Sequence, residues 1–188
     1  MHMPPVIDLL RHGDTGFTGF RGTLEDSLMP QGWQQMERAV AGKNWDVVVS
    51  SPRLRCASFA EQFAERAGLA LHCDERLAEL HFGEWEGKTA AELMQSNARA
   101  LQNFWNNPEA FPPPGGETMQ TFSVRVLQAW QEMWRRCDGQ RVLVVTHGGV
   151  IRRLLCHVRG LPLSDLLSLE VPHASLHRIT IDGEELAA

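Results

Sequence analysis

No stretch of this 188-residue chain approaches the roughly 18 consecutive apolar residues of a membrane-spanning helix. No basic, apolar leader precedes the first strand, so the sequence predicts a cytoplasmic protein with no membrane anchor. Cysteine is scarce. Cys56, Cys73, Cys137 and Cys156 form no C-x-x-C pair, which predicts reduced, packed thiols rather than a disulfide framework. None is followed six positions on by arginine (those positions hold Gln62, Glu79, Leu143 and Pro162), which disfavours a cysteine-nucleophile phosphatase. Positive charge is not in excess. Against 23 Asp and Glu the 18 Lys and Arg leave a net charge of −5, which argues against a nucleic-acid or anionic-membrane partner but not against a small cationic pocket. Tyrosine is absent although tryptophan numbers six, an imbalance with no physical account.

The chain also lacks internal repeats and long linkers. Its one Pro/Gly-rich run, 111–116, is too short to separate domains and reads as a rigid turn. With 43% hydrophobic residues, a single domain over 1–188 is expected. Apolar runs at 6–10, 45–50, 69–72 and 141–146 read as buried strands, the third weakly, and 173–181 as a late strand. Helical periodicity begins at Pro30, with Trp33, Met36 and Val40 on one face, and again at Pro52, with Phe59, Ala60 and Phe63 inward. Two helical pieces are predicted at 89–95 and 98–106, then a long helix over 117–136 and another opening at Val150. Alternating strands and helices predict a three-layer α/β/α domain with a mainly parallel sheet. Residues 80–116 form a small helical lid insertion in this reading.

Three strands end in chemistry. The first stops at Arg11-His12-Gly13, the second at Ser50-Ser51-Pro52 with Arg55 just beyond, and the last at Thr146-His147-Gly148-Gly149. In a parallel sheet these ends share one edge, where ligands bind. Two histidines and two arginines then converge there, and the helix after Gly149 adds an N-terminal anion site. Phosphoryl transfer needs such a cluster: guanidinium forks for charge on three oxygens, an imidazole nucleophile, and a carboxylic acid for the leaving alkoxide. Glu79 and Asp14 are the candidate acids by position.

The segments Leu10-Arg11-His12-Gly13, Ser50 to Arg55, Leu77-Ala78-Glu79 with Phe82 to Gly87, Pro114 to Glu117 and Thr146-His147-Gly148-Gly149 resemble the histidine phosphatase superfamily, with its phosphoglycerate mutase-like fold. The resemblance implies His12 as phosphohistidine nucleophile, Arg11, Arg55 and His147 as phosphate ligands with Gly148 beside them, and Glu79 as proton donor. It implies no metal and no cofactor. Within the superfamily the chain is most similar to the α-ribazole phosphatase group, in its length and in Phe20-Arg21-Gly22 and Phe82 to Gly87. That likeness implies removal of the 5′-phosphate of α-ribazole phosphate in cobalamin biosynthesis. Thr18 stands where many relatives carry asparagine, and Gly22-Thr23-Leu24-Glu25 replaces a Gly-x-x-Asp pattern. Thr18, Arg21 and Gly22 in that loop are candidate substrate contacts, as is His81 by its position beside the Glu79 segment.

The expected partner is a small-molecule phosphate monoester, and a homodimer stays open. Alternatives are a broad-specificity or phosphohistidine-protein phosphatase, a mutase, and a non-catalytic phosphate-binding module. Gly83 to Thr89 imitates a P-loop, but with three residues between the glycines instead of four and no strand before it. Trp85, Phe104, Trp105 and Phe111 read as a small satellite core, with an apolar lid for an aromatic substrate as the sharper alternative. His72-Cys73 and His157 lack zinc-ligand spacing. His2, His173 and His177 are expected on the surface or a strand face, and Arg152 and Arg153 away from the chemistry.

Overall fold

The computed structural model describes residues 4–179 and the short strand Glu185–Leu186. His2, and Thr180 and Ile181 at the end of the expected late strand, lie outside the described residues. One sheet organises the fold. Its strands are β1 (Val6–Arg11), β2 (Val47–Ser50), β3 (Ala70–Cys73), β4 (Arg141–Thr146), β5 (Leu176–Ile179) and β6 (Glu185–Leu186), in the spatial order β3-β2-β4-β1-β5-β6. β1, β2, β3 and β4 run parallel, while β5 pairs antiparallel with β1 and β6 with β5.

The strand residues alternate between two cores, as the period of two requires. Ile7, Leu9, Val47, Val49, Val142 and Val144 pack into one core with residues of α3 (Ala90–Asn106), α4 (Met119–Arg136) and α5 (Gly148–Val158). Leu10, Val48, Leu143 and Val145 pack into the other with α1 (Pro30–Val40) and α2 (Leu54–Ala67). Helices therefore cover both faces, as a buried parallel sheet demands. Asp8 is the exception on β1, buried among apolar neighbours. Its carboxylate accepts two bonds from its cross-strand partner Arg178 (2.8 and 2.9 Å) and one from Trp45 Nε1 (2.7 Å). Among the described residues no helix is long and apolar enough to cross a membrane.

Four local expectations need correction. Helix α2 begins at Leu54, not at Pro52, because its first N–H is capped from outside: Glu25 Oε2 accepts from Leu54 N at 2.8 Å. The pieces at 89–95 and 98–106 are one element, α3, interrupted at Asn97 (φ −154°, ψ 55°). Trp85 and Phe104 do not form a satellite cluster; they join the same core as β1 and β4, while Trp105 and Phe111 stay exposed. Cys73 is exposed on the edge strand β3, whereas the other three cysteines are buried.

β1 delivers its terminus against α1 at Gly13. A Cβ there would lie 2.2 Å from the Gly32 carbonyl oxygen. Gly13→Ala is expected to destabilise the fold by roughly 1–3 kcal/mol or more, since backbone must give way. An unchanged thermal midpoint would show that α1 is not seated there.

Candidate active site

The parallel register carries three strand ends to one edge. Arg11 stands opposite Thr146 and Ser50 opposite Val145. The ladder runs on past the strands: His12 N donates to Thr146 O (3.0 Å) and Ser51 N to Val145 O (2.9 Å). His12 and His147 thus sit side by side, ring centroids 5.4 Å apart.

His12 is 6% exposed. Its Nδ1 lies 2.9 Å from the Gly13 carbonyl oxygen, which can only accept. Nδ1 therefore carries the proton, and the lone pair is on Nε2. Burial holds the imidazole well below its ordinary pKa; the Gly13 bond opposes this, and the Arg55 and Arg11 charges add to it. His147 is completely buried and likewise held neutral, by burial first and then by Arg55. Its Nε2 shares a 2.7 Å hydrogen bond with Ser51 Oγ.

Two guanidiniums flank this pair. Arg11 donates from Nη1 to Val171 O at 2.6 Å. Arg55 is 1% exposed, and its Nη atoms hold the 21–26 loop through Leu24 O, Gly22 O, Arg21 O and Asp26 Oδ1. Among the described residues, the buried Nε–H of both arginines has no partner. A buried donor left so costs about 1–3 kcal/mol, a penalty that a bound anion removes.

Glu79 is fixed at both oxygens. Oε2 accepts from Gly149 N in the first turn of α5 and Oε1 from Leu80 N, each at 2.9 Å. Gly149 makes this approach feasible, because a Cβ would lie 2.2 Å from Oε1. Asp14, the other candidate acid, is used structurally: its Oδ1 accepts from Gly16 N at 2.9 Å, and its carbonyl from Met29 N.

A cleft of about 350 Å3 opens over these groups. Of the residues singled out from sequence, Arg11, His12, Thr18, Arg21, Glu79 and Gly148 line it. Arg55 and His147 do not; they are packed beneath. Gly22 and His81 do not line it either. Gly22 passes so close to Leu80 that a Cβ would meet its carbonyl oxygen at 1.8 Å, and its N–H is held by Glu86. The main chain of His81 is bonded to Glu117. Arg21 pairs with Asp26 and lies over the Phe17 ring, 4.8 Å from its centroid.

Two residues expected elsewhere belong to the cleft. His173 lines it, its ring 5.4 Å from that of His12. Arg152 lines it too, with Nε donating to Leu169 O at 2.8 Å. The spacing of Arg152 four residues after Gly148 on one helix is a signal the sequence carried. No comparable signal marks His173.

Beside the cleft lies an annex of about 170 Å3 that shares Phe20, Glu79, Phe82 and Arg152 with it. Its other walls are apolar, among them Phe104, Trp105, Met119 and Phe122. A larger cavity, about 550 Å3 between β3 and the end of α4, is lined by none of the groups gathered at the strand ends; its own cationic and imidazole side chains are Arg76, Arg136 and His72. Arg76 there is paired with Asp74 and Glu132. Among the described residues no group of three His, Cys, Asp or Glu side chains is placed to hold a metal ion.

Residues 7–188 match the family described as histidine phosphatase superfamily (branch 1). The chain belongs to that superfamily. Its chemistry is phosphoric monoester hydrolysis. It is 31% identical over 171 residues to a glucosyl-3-phosphoglycerate phosphatase of Mycobacterium tuberculosis, covering 84% of this chain and 76% of that one. The α-ribazole phosphatase of Shigella flexneri superposes with a TM-score of 0.82 at 26% identity, over 94% of this chain and 90% of the other. YhfR of Bacillus stearothermophilus superposes with a TM-score of 0.88 at 30% identity, over 98% and 95%. The three-layer α/β/α architecture with its phosphoglycerate mutase-like likeness accords with these neighbours.

Proposed function

We propose that the chain is a metal-independent phosphomonoesterase that works through phospho-His12 and takes α-ribazole 5′-phosphate, in cobalamin biosynthesis, as its substrate. The observation that carries the chemistry is the free Nε2 of a neutral His12 beside two guanidiniums, each with a buried N–H unpaired among the described residues. In this reading His12 Nε2 gives its electron pair to phosphorus, the ester P–O bond breaks toward the alcohol, and Glu79 protonates that oxygen. Water then attacks phosphorus, Glu79 takes its proton, the P–N pair returns to Nε2, and inorganic phosphate leaves. Arg11, Arg55 and the N-terminal turn of α5 at Gly148 meet the charge on the three equatorial oxygens. His147, neutral and buried, is a second imidazole against His12.

The annex supports the choice of alcohol. Glu79 stands where cleft and annex meet, so a leaving group protonated by Glu79 extends into an apolar, aromatic-walled space. The aromatic base of α-ribazole suits that space, and the likeness to an α-ribazole phosphatase agrees with it. A second reading, a broad-specificity phosphatase of apolar alcohols, is favoured by the scarcity of hydrogen-bonding side chains in the annex. The four unpaired cysteines suit a reducing, cytoplasmic setting.

A substrate panel tests the choice. Catalytic efficiency is expected to be on the order of 100-fold higher for α-ribazole 5′-phosphate than for phosphoserine or 3-phosphoglycerate. Equal efficiency on phenyl phosphate would favour the broad reading, and a preference for phosphoserine would rule out both.

A further inference from the structure

We propose that His173 is a phosphoryl-contacting residue, a third imidazole that hydrogen-bonds the phosphoryl group His12 attacks. The inference rests on the phosphohistidine reading above and adds a residue to that site.

The two ring neighbours of His12 differ. His147 is completely enclosed, and its Nε2 is taken by Ser51. His173 is half-buried on the cleft wall, and among the described residues neither of its ring nitrogens has a hydrogen-bond partner. A polar ring held at 5.4 Å from a nucleophile, with both nitrogens unspent, is placed for a ligand rather than for packing.

The backbone is built to hold it there. Ala174 N donates to His12 O (3.2 Å) and Arg11 N to Ser175 O (3.1 Å), so the two residues directly after His173 are stitched to the end of β1 and the residue beyond it. Ala174 has φ +56°, the one non-glycine residue in the left-handed region among the described residues. A Cβ-bearing residue in that region costs about 1–2 kcal/mol, and such strain clusters at ligand clamps and active sites. The groups facing the imidazole are Arg11 at the end of β1, His12 just past it, and Asp14 and Arg21 from the loop that follows. Burial and the Arg11 charge lower its pKa, with Asp14 opposing, so the ring is neutral at pH 7. It then offers one N–H donor without adding a positive charge to a cleft that already holds Arg11, Arg21 and Arg152.

Inorganic phosphate as a competitive inhibitor is the probe, measured with the turnover of phenyl phosphate and the thermal midpoint. His173→Phe keeps a ring against His12 and removes both nitrogens; His173→Asn removes the ring and keeps an N–H donor. The phenylalanine variant is expected to keep its thermal midpoint and to bind phosphate about tenfold or more weakly, with part of the affinity regained by asparagine. Phosphate affinity equal to wild type in His173→Phe overturns the proposal. So does loss of affinity that only tracks loss of stability in both variants. If the wild type turns over no phosphomonoester yet calorimetry still shows phosphate binding that depends on His173, the phosphohistidine reading fails and this one stands.

Discussion

His12→Ala is expected to lower turnover of every phosphomonoester by about 10³-fold or more, because the covalent route through His12 Nε2 closes. Cys56 is close by but buried, with its thiol pushed far up by burial, so it stays protonated. The Nε2 of His147 is engaged with Ser51. In wild type, rapid quenching with radiolabelled phosphomonoester should leave acid-labile, base-stable label on the chain, and His12→Ala should leave none. Full activity in His12→Ala would end the phosphohistidine reading. The acid limb of the wild-type pH profile follows from the same burial. His12 attacks only when neutral, and its pKa is lowered well below the ordinary 6.5. Activity should therefore persist as pH falls through 6.5 and be lost only further into acid. An acid limb centred at 6.5 or above would contradict a buried, neutral nucleophile.

Glu79→Gln should separate the two half-reactions. With an alkyl phosphate the first step needs a proton on the leaving oxygen, and the rate is expected to fall about 10²–10⁴-fold with no burst. With p-nitrophenyl phosphate the leaving group needs no proton. Phosphorylation of His12 then stays fast, while water attack on the phosphohistidine loses its base. One equivalent of nitrophenolate per active site should appear in a burst, followed by a slow steady state. An equal loss for both esters, with no burst, would argue that Glu79 positions Gly149 rather than moving a proton. The glutamine amide can accept from only one of the Gly149 and Leu80 amides, so a loss of about 1–3 kcal/mol in stability should accompany the change.

Much of this molecule was legible in its sequence because the parallel strands are short, continuous apolar runs ended by marked residues. β4 has the bounds that its apolar run predicts, Arg141–Thr146, and the motifs at the ends of β1, β2 and β4 converge because a parallel register leaves no alternative. Glu79 over Asp14 was not legible from spacing. The choice depends on which carboxylate reaches the first turn of α5, a contact 70 residues apart in sequence. His173 was hidden for a similar reason: its nearness to His12 comes from the antiparallel return of β5 beside β1, and no local pattern encodes that pairing. The start of α2 was misplaced because Glu25, remote in sequence, caps it. Trp85 and Phe104 look detached in sequence because they lie in the irregular third of the chain, yet their rings pack edge to face and join the core shared by β1 and β4.

The cleft and the outer rim of its annex have separate supports, and this bears on how such a protein changes over generations. Arg11, His12, Glu79 and Gly148 are clamped by the ladder of β1 and β4 and by the first turn of α5. Trp105, on the wall of the annex, is exposed on α3, outside that framework. If the proposed chemistry holds, a lineage can exchange such an exposed annex residue, and with it the preferred alcohol, while Arg11, His12, Glu79 and Gly148 stay in register.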